Sequence, residues 1–141
     1  MPEGTVATGG CLCGAVRYTV RGPLRDVVNC HCGQCRRFHG HIGAYTESAT
    51  RDVAIDGEAS LRWFRSSPGA RRGFCQVCGS SLFWQRLGGD RLSIAAGTLD
   101  APTGLRTVRH IFTASAGDYY RIEDSLEKLP GSQPPGPAAG A

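Results

Sequence analysis

Short runs of alternating apolar and polar residues dominate the chain. Val16, Tyr18 and Val20 share one face of AVRYTVRG, which stops at Gly22-Pro23; this period of two belongs to a half-buried strand. VAIDGEASLRWF places Val53 and Ile55 before Asp56-Gly57, and Leu61 and Trp63 after it, the pattern of a β-hairpin with a tight turn. SSLFWQR, RLSIAAGTL and TVRHIFTAS are further β-rich runs set off by Gly, Pro or Asp. No segment keeps an apolar helical period over roughly 12 positions, which argues against a helical bundle. SLEKL, residues 125–129, is the one stretch with the character of a helical turn. Trp63, Phe64, Phe83 and Trp84 are assigned to the core or to sheet faces. The expected fold class is all-β, a small sheet protein with its cysteines in loops.

The edges of the pattern set the domain. PGSQPPGPAAGA, residues 130–141, has no large apolar side chain and is read as a flexible Pro/Gly tail. Residues 1–8 are expected to be loose too, which leaves a single working domain over 9–129. At 141 residues, 40% hydrophobic and 20% charged, the chain has material for one globular core. It lacks the run of about 18 apolar residues that a membrane-spanning helix requires. MPEGTVATGG has no basic segment followed by an apolar core, so a cytoplasmic address without membrane attachment is expected. There is no solenoid-type repeat, Ser-His-Asp pattern, phosphate loop or dinucleotide fingerprint.

The cysteines change the picture most. There are seven, Cys11, Cys13, Cys30, Cys32, Cys35, Cys75 and Cys78, all in tight clusters. An odd number cannot pair off completely as disulfides, and neighbours this close are better placed to share an ion than to bridge each other. CLCG at 11–14 and CQVCG at 75–79 together supply four thiolates, the number a structural zinc site needs. Cys11 and Cys13 would point the same way on an extended backbone. An ion shared by these clusters would clip together segments 62 positions apart, from Cys13 to Cys75.

NCHCGQCRRFHG, residues 29–40, holds the other three thiols within six residues. Three ligands leave a fourth position for water or substrate, as in catalytic zinc. A closed site with His39 as fourth ligand is the alternative; His31, between two cysteines, should point away. A third reading leaves these cysteines free for reversible oxidation. Three thiolates make zinc a soft Lewis acid, suited to accepting a further thiolate, which points to a thiol-bearing substrate. Arg36 and Arg37 follow directly and are placed to receive carboxylates of such a thiol; Arg71 and Arg72 have a weaker claim. His41 and His110 read as structural or exposed.

Charge gives no strong case for nucleic acid. The formal net charge is +4, from 16 basic and 12 acidic side chains. Seven thiolates with two divalent ions would reduce it to about +1.

Taken in order, GGCLCGAVRY, CHCGQCRRFHG, GFCQVCGSSLFW and RHIFTASAGDYYRIEDSLEKLPG resemble the glutathione-dependent formaldehyde-activating enzyme family, whose domain is shared with centromere protein V. The resemblance runs from Gly9 to Pro130. It implies a β-tent-like zinc-binding fold of small antiparallel sheets. It also implies a structural zinc on Cys11, Cys13, Cys75 and Cys78, and a second, catalytic zinc on Cys30, Cys32 and Cys35. The implied activity is that of a carbon–sulfur lyase on thiol–aldehyde adducts, with glutathione as thiol substrate and S-hydroxymethylglutathione as the adduct with formaldehyde. A non-catalytic zinc module that binds a protein or nucleic-acid partner is the rival reading. Tyr119 stands where related sequences often carry Trp.

Overall fold

The computed structural model describes residues 6–132. Among these, a three-stranded antiparallel sheet is built from β1 (Val6–Gly10), β2 (Arg17–Arg21) and β5 (Val53–Asp56), in the order β1-β2-β5. The larger sheet takes β3 (Val27–Cys30), β4 (Gly43–Ala49), β6 (Leu61–Ser67), β7 (Ala70–Cys75), β8 (Ser81–Arg86), β9 (Arg91–Ala95), β10 (Thr107–Ile111) and β11 (Glu127–Lys128). Its order is β11-β10-β3-β4-β9-β8-β7-β6. The pairings are antiparallel except β3 with β10 and β10 with β11, which are parallel. No helix among the described residues is long and apolar enough to cross a membrane.

The expected alternation holds on β2 and the residue before it: Val16, Tyr18 and Val20 are buried and pack with Leu82, Phe83, Leu92 and Ile94 from the larger sheet. Tyr18 meets Phe83 edge-on, ring centroids 5.5 Å apart. Each such fully buried side chain contributes about 1.5–3 kcal/mol. A second, smaller cluster of Cys30, Cys35, Tyr45 and Ala95 lies apart from this core.

Several expectations are corrected. Asp56-Gly57 makes no hairpin: β5 pairs with β2 in the small sheet, and β6 pairs with β7 in the large one. Gly57 instead carries the chain from one sheet to the other. Its φ is +82°, and a side chain there would strike the Ala15 carbonyl, so the glycine serves a crossing and not a tight turn. SLEKL contains β11, not a helical turn. The one α-helix among the described residues, α1 (Gly33–His39), falls inside the cysteine-rich segment. It is too short to show a period, and its ends hold it: the Cys35 N–H donates to the Cys32 sulfur at the N-cap, and the Gly40 N–H to the Arg36 carbonyl.

Phe64, assigned to the core or a sheet face, is 57% exposed on β6. Residues 6–8, expected to be loose, belong to β1. Pro130 and Gly131, placed in the tail, accept hydrogen bonds from the Ala114 and Phe112 N–H groups; the tail from 133 onward lies outside the described residues.

Candidate functional site

The seven cysteines gather into two groups. Cys11, Cys13, Cys75 and Cys78 have sulfurs within 4.8 Å of one another, and so do Cys30, Cys32 and Cys35. Each group could hold a metal ion.

The four-sulfur group is built from two turns. Cys11 follows β1, and the stretch after it is a turn, not the extended segment expected from the C-x-C spacing. The Val16 N–H donates to the Cys11 sulfur at 3.3 Å. Cys75 ends β7, and the Val77 N–H donates to its sulfur at 3.4 Å. Ser80 ties the turns together: its hydroxyl accepts the Leu12 N–H at 2.9 Å and lies 3.2 Å from the Cys78 sulfur. Those contacts hold the Cys78 thiol down at about 5, the Ser80 hydroxyl first and the Ser80 backbone next. The Cys11–Cys13 and Cys13–Cys75 separations are 3.6 and 3.8 Å. A tetrahedron of zinc–sulfur bonds has edges of roughly 3.8 Å, so these donors fit such an ion as they stand.

The three-sulfur group lies where β3 ends and α1 begins. Cys30 is the last residue of β3, Cys32 caps α1, and Cys35 is buried on its inner face. Crowding makes the thiols unequal. Hydrogen bonds from Cys30 and Cys35, joined by the Cys35 and Gln34 backbone N–H groups, push Cys32 down to about 2. The Cys32 and then the Cys35 sulfur, with burial, push Cys30 up. Protons alone cannot let all three sulfurs be anionic here, whereas a shared divalent ion would, so the donor set fits a metal. Gly43, opening β4, leaves the room. A Cβ there would lie 2.9 Å from the Cys35 sulfur and 2.8 Å from the Tyr45 ring.

The histidines take other partners. His39 is not among the clustered ligands; its Nε2 lies 2.6 Å from the Tyr45 hydroxyl. Burial, and then the Arg72 cation, push it down to about 4, so its ring is neutral at pH 7. His31 points away from the sulfurs, as expected, into a chain that the sequence did not announce. Asp124 accepts from His110 Nε2 at 2.8 Å. His31 Nε2 lies 2.8 Å from His110 Nδ1, and His31 Nδ1 lies 2.5 Å from the Tyr120 hydroxyl. His110 is thus buried and bonded at both nitrogens, while His41 is exposed and pairs with the Tyr119 hydroxyl at 2.8 Å.

The arginines reverse the expected order. Arg36 is half-buried and Arg37 exposed on α1, and neither forms an ion pair among the described residues. Arg71 lies over the Trp63 ring at 3.8 Å and bonds Gln85. Arg72 is only 3% exposed, and its two terminal nitrogens lie 3.7 and 3.6 Å from the Cys35 sulfur. It also donates to the Tyr45 hydroxyl and to Gln34 Oε1, each at 3.3 Å. With Arg72 on the Tyr45 oxygen, the Tyr45 O–H is left to donate to His39 Nε2. Burial along β7 does not keep a period of two, since Gly73 and Cys75 are buried as well as Arg72, so the sequence neither singled out Arg72 over Arg71 nor paired it with Cys35.

Over 71% of this chain and 97% of the other, the structure is similar to the crystal structure of a Rhodobacter sphaeroides protein, with 26% sequence identity and a TM-score of 0.57. The family model for the glutathione-dependent formaldehyde-activating enzyme matches residues 6–115, a span that contains all seven cysteines and Arg72. With most of its length matched, the chain belongs to the glutathione-dependent formaldehyde-activating enzyme family.

Proposed function

We propose that the protein is a zinc-dependent carbon–sulfur lyase that makes and breaks thiol–aldehyde adducts, with glutathione and formaldehyde as the reference pair. Cys11, Cys13, Cys75 and Cys78 hold a structural ion, and Cys30, Cys32 and Cys35 hold the ion at which the substrate is bound. The observation that carries this reading is the pairing of a four-sulfur group with a three-sulfur group that has no fourth ligand among the described residues, His39 being engaged by Tyr45. Zinc held by Cys30, Cys32 and Cys35 would supply Lewis acidity and would favour the thiolate form of a thiol.

In the forming direction the thiol loses its proton, its sulfur bonds to the carbonyl carbon, and the carbonyl π pair moves onto oxygen, which takes up a proton. Nothing is oxidised or reduced. The chain's own residues set the surroundings. Cys30 and Cys35 are buried, which keeps water from their sulfurs. Neutral His39 holds the Tyr45 hydroxyl in place, and Tyr45 in turn holds Arg72. The Asp124–His110–His31 chain fixes the Tyr120 hydroxyl.

The test is exchange spectroscopy on mixtures of glutathione and isotope-labelled formaldehyde. The protein is expected to accelerate exchange between free aldehyde and adduct, and Cys32→Ser is expected to abolish the acceleration. Uncatalysed exchange for glutathione and a panel of other thiols, with the second metal bound, would overturn the lyase reading and leave a non-catalytic metal module.

A further inference from the structure

Arg72 sits at an inward-facing position of β7, almost without exposure, where an apolar side chain would be usual. Among the described residues no carboxylate lies within ion-pair distance of it. Its oxygen partners, Gln34 and Tyr45, are neutral, and the Phe38 ring, 5.3 Å from its central carbon, adds only a weak attraction. A buried guanidinium needs an anion. Among the described residues the one group its N–H donors reach that can become anionic is sulfur, and both terminal nitrogens reach the same one, that of Cys35.

Three thiolates and one divalent ion leave a net charge of about −1, which opposes the arrival of another thiolate. We infer that Arg72 is the fixed counter-charge of the Cys30, Cys32 and Cys35 site, bringing the loaded site to neutrality so that it takes an anionic sulfur from solution. This rests on the lyase reading and gives that site its selectivity: the substrate is recognised as a thiolate, and Arg72 acts through Cys35 without touching it. Among the described residues the four-sulfur group has no cation hydrogen-bonded to it: Arg17, which feels the Cys11 charge at a distance, is held by Asp100. The group's sulfurs receive backbone N–H groups and lie against a serine hydroxyl, with no arginine, lysine or histidine on them among the described hydrogen bonds. An ion surrounded by four thiolates has no anion left to recruit.

The experiment compares wild type, Arg72→Gln and Arg72→Lys as full-length, cobalt-loaded proteins, reading the sulfur-to-cobalt absorption band as ligand is added. Glutathione, S-methylglutathione and hydrosulfide are the probes. Arg72→Gln is expected to bind glutathione and hydrosulfide at least about tenfold more weakly, while the weak binding of S-methylglutathione, followed by calorimetry, is unchanged. Arg72→Lys should restore both thiolate affinities to within about threefold of wild type.

Equal hydrosulfide affinity in wild type and Arg72→Gln overturns the inference, as does a parallel loss for S-methylglutathione, which would make Arg72 a carboxylate receptor. Hydrosulfide binding that depends on Arg72 while wild type ignores glutathione would sink the glutathione reading and leave the inference standing. If Arg72→Gln does not fold, Arg72→Lys decides: a tenfold loss of hydrosulfide affinity overturns the counter-charge role. Failure of both variants to fold assigns Arg72 to packing and overturns it as well.

Discussion

The two cysteine groups use the same donor atom at the same crowding, yet their surroundings differ throughout. Cys11 and Cys75 belong to the main core, beside Val16, Tyr18 and Phe83, and their sulfurs meet backbone N–H groups. Cys30 and Cys35 sit in a small cluster of their own with Tyr45 and Ala95, and Arg72, Tyr45 and His39 surround them. One group offers four donors and is joined to the main core. The other offers three among the described residues and is ringed by groups that carry or transmit charge. On the function proposed above, what surrounds the sulfurs, and not the count of cysteines, distinguishes a clip from a site.

The largest effect should come from breaking the clip. Cys75→Ser removes a fully buried ligand from the main core. It should cost one bound ion and more than about 10 °C in Tm, read by metal analysis and calorimetry. A variant that melts like wild type would mean the four-sulfur group is not what holds the sheets together.

Cys32→Ser sharpens the contrast from the other side. Serine is a good N-cap, so the cap of α1 survives while a thiolate is lost. Adduct exchange should fall at least about 100-fold, with Tm within about 5 °C of wild type. Unfolding would show that the three-sulfur group is structural too.

Gly43→Ala attacks the same group without touching a ligand. The added methyl would meet the Cys35 sulfur and the Tyr45 ring, so the second ion should bind more weakly at a cost of about 1–3 kcal/mol in stability. The first ion should be retained, as chelator competition would show.

The smallest effect is in pH. Burial and Arg72 lower His39 from its ordinary 6.5 to about 4. Between those values the unfolded chain takes up a proton that the folded one refuses. The stability from this group is thus complete above pH 6.5 and declines as pH falls toward 4. Denaturant midpoints at pH 7.5 and 5 should differ in wild type and differ less in His39→Gln; an equal slope in both would place the titration elsewhere.

The grouping of the cysteines was legible because ligand spacing is local, and the face of Val16, Tyr18 and Val20 was legible because strand alternation is local too. What escaped depends on distance or on context. Arg72 and Cys35 are 37 positions apart, and the His31–His110 contact spans 79. An Arg-Arg pair on a strand does not reveal which member faces inward toward a thiol. Helix α1 depends on a cysteine cap and seven residues, below the length at which a period can be read. Asp56-Gly57 has the composition of a hairpin turn, but the Ala15 carbonyl beside Gly57 turns it into a crossing between sheets.

Native mass spectrometry of the intact chain, with and without glutathione, tests the distinction between clip and site most directly. Two zinc ions per chain are expected, with glutathione retained only on the two-ion species. Cys32→Ser is expected to stay folded with one ion and no glutathione. One ion per wild-type chain, or glutathione carried by the one-ion species, would contradict the assignment of an open site to Cys30, Cys32 and Cys35.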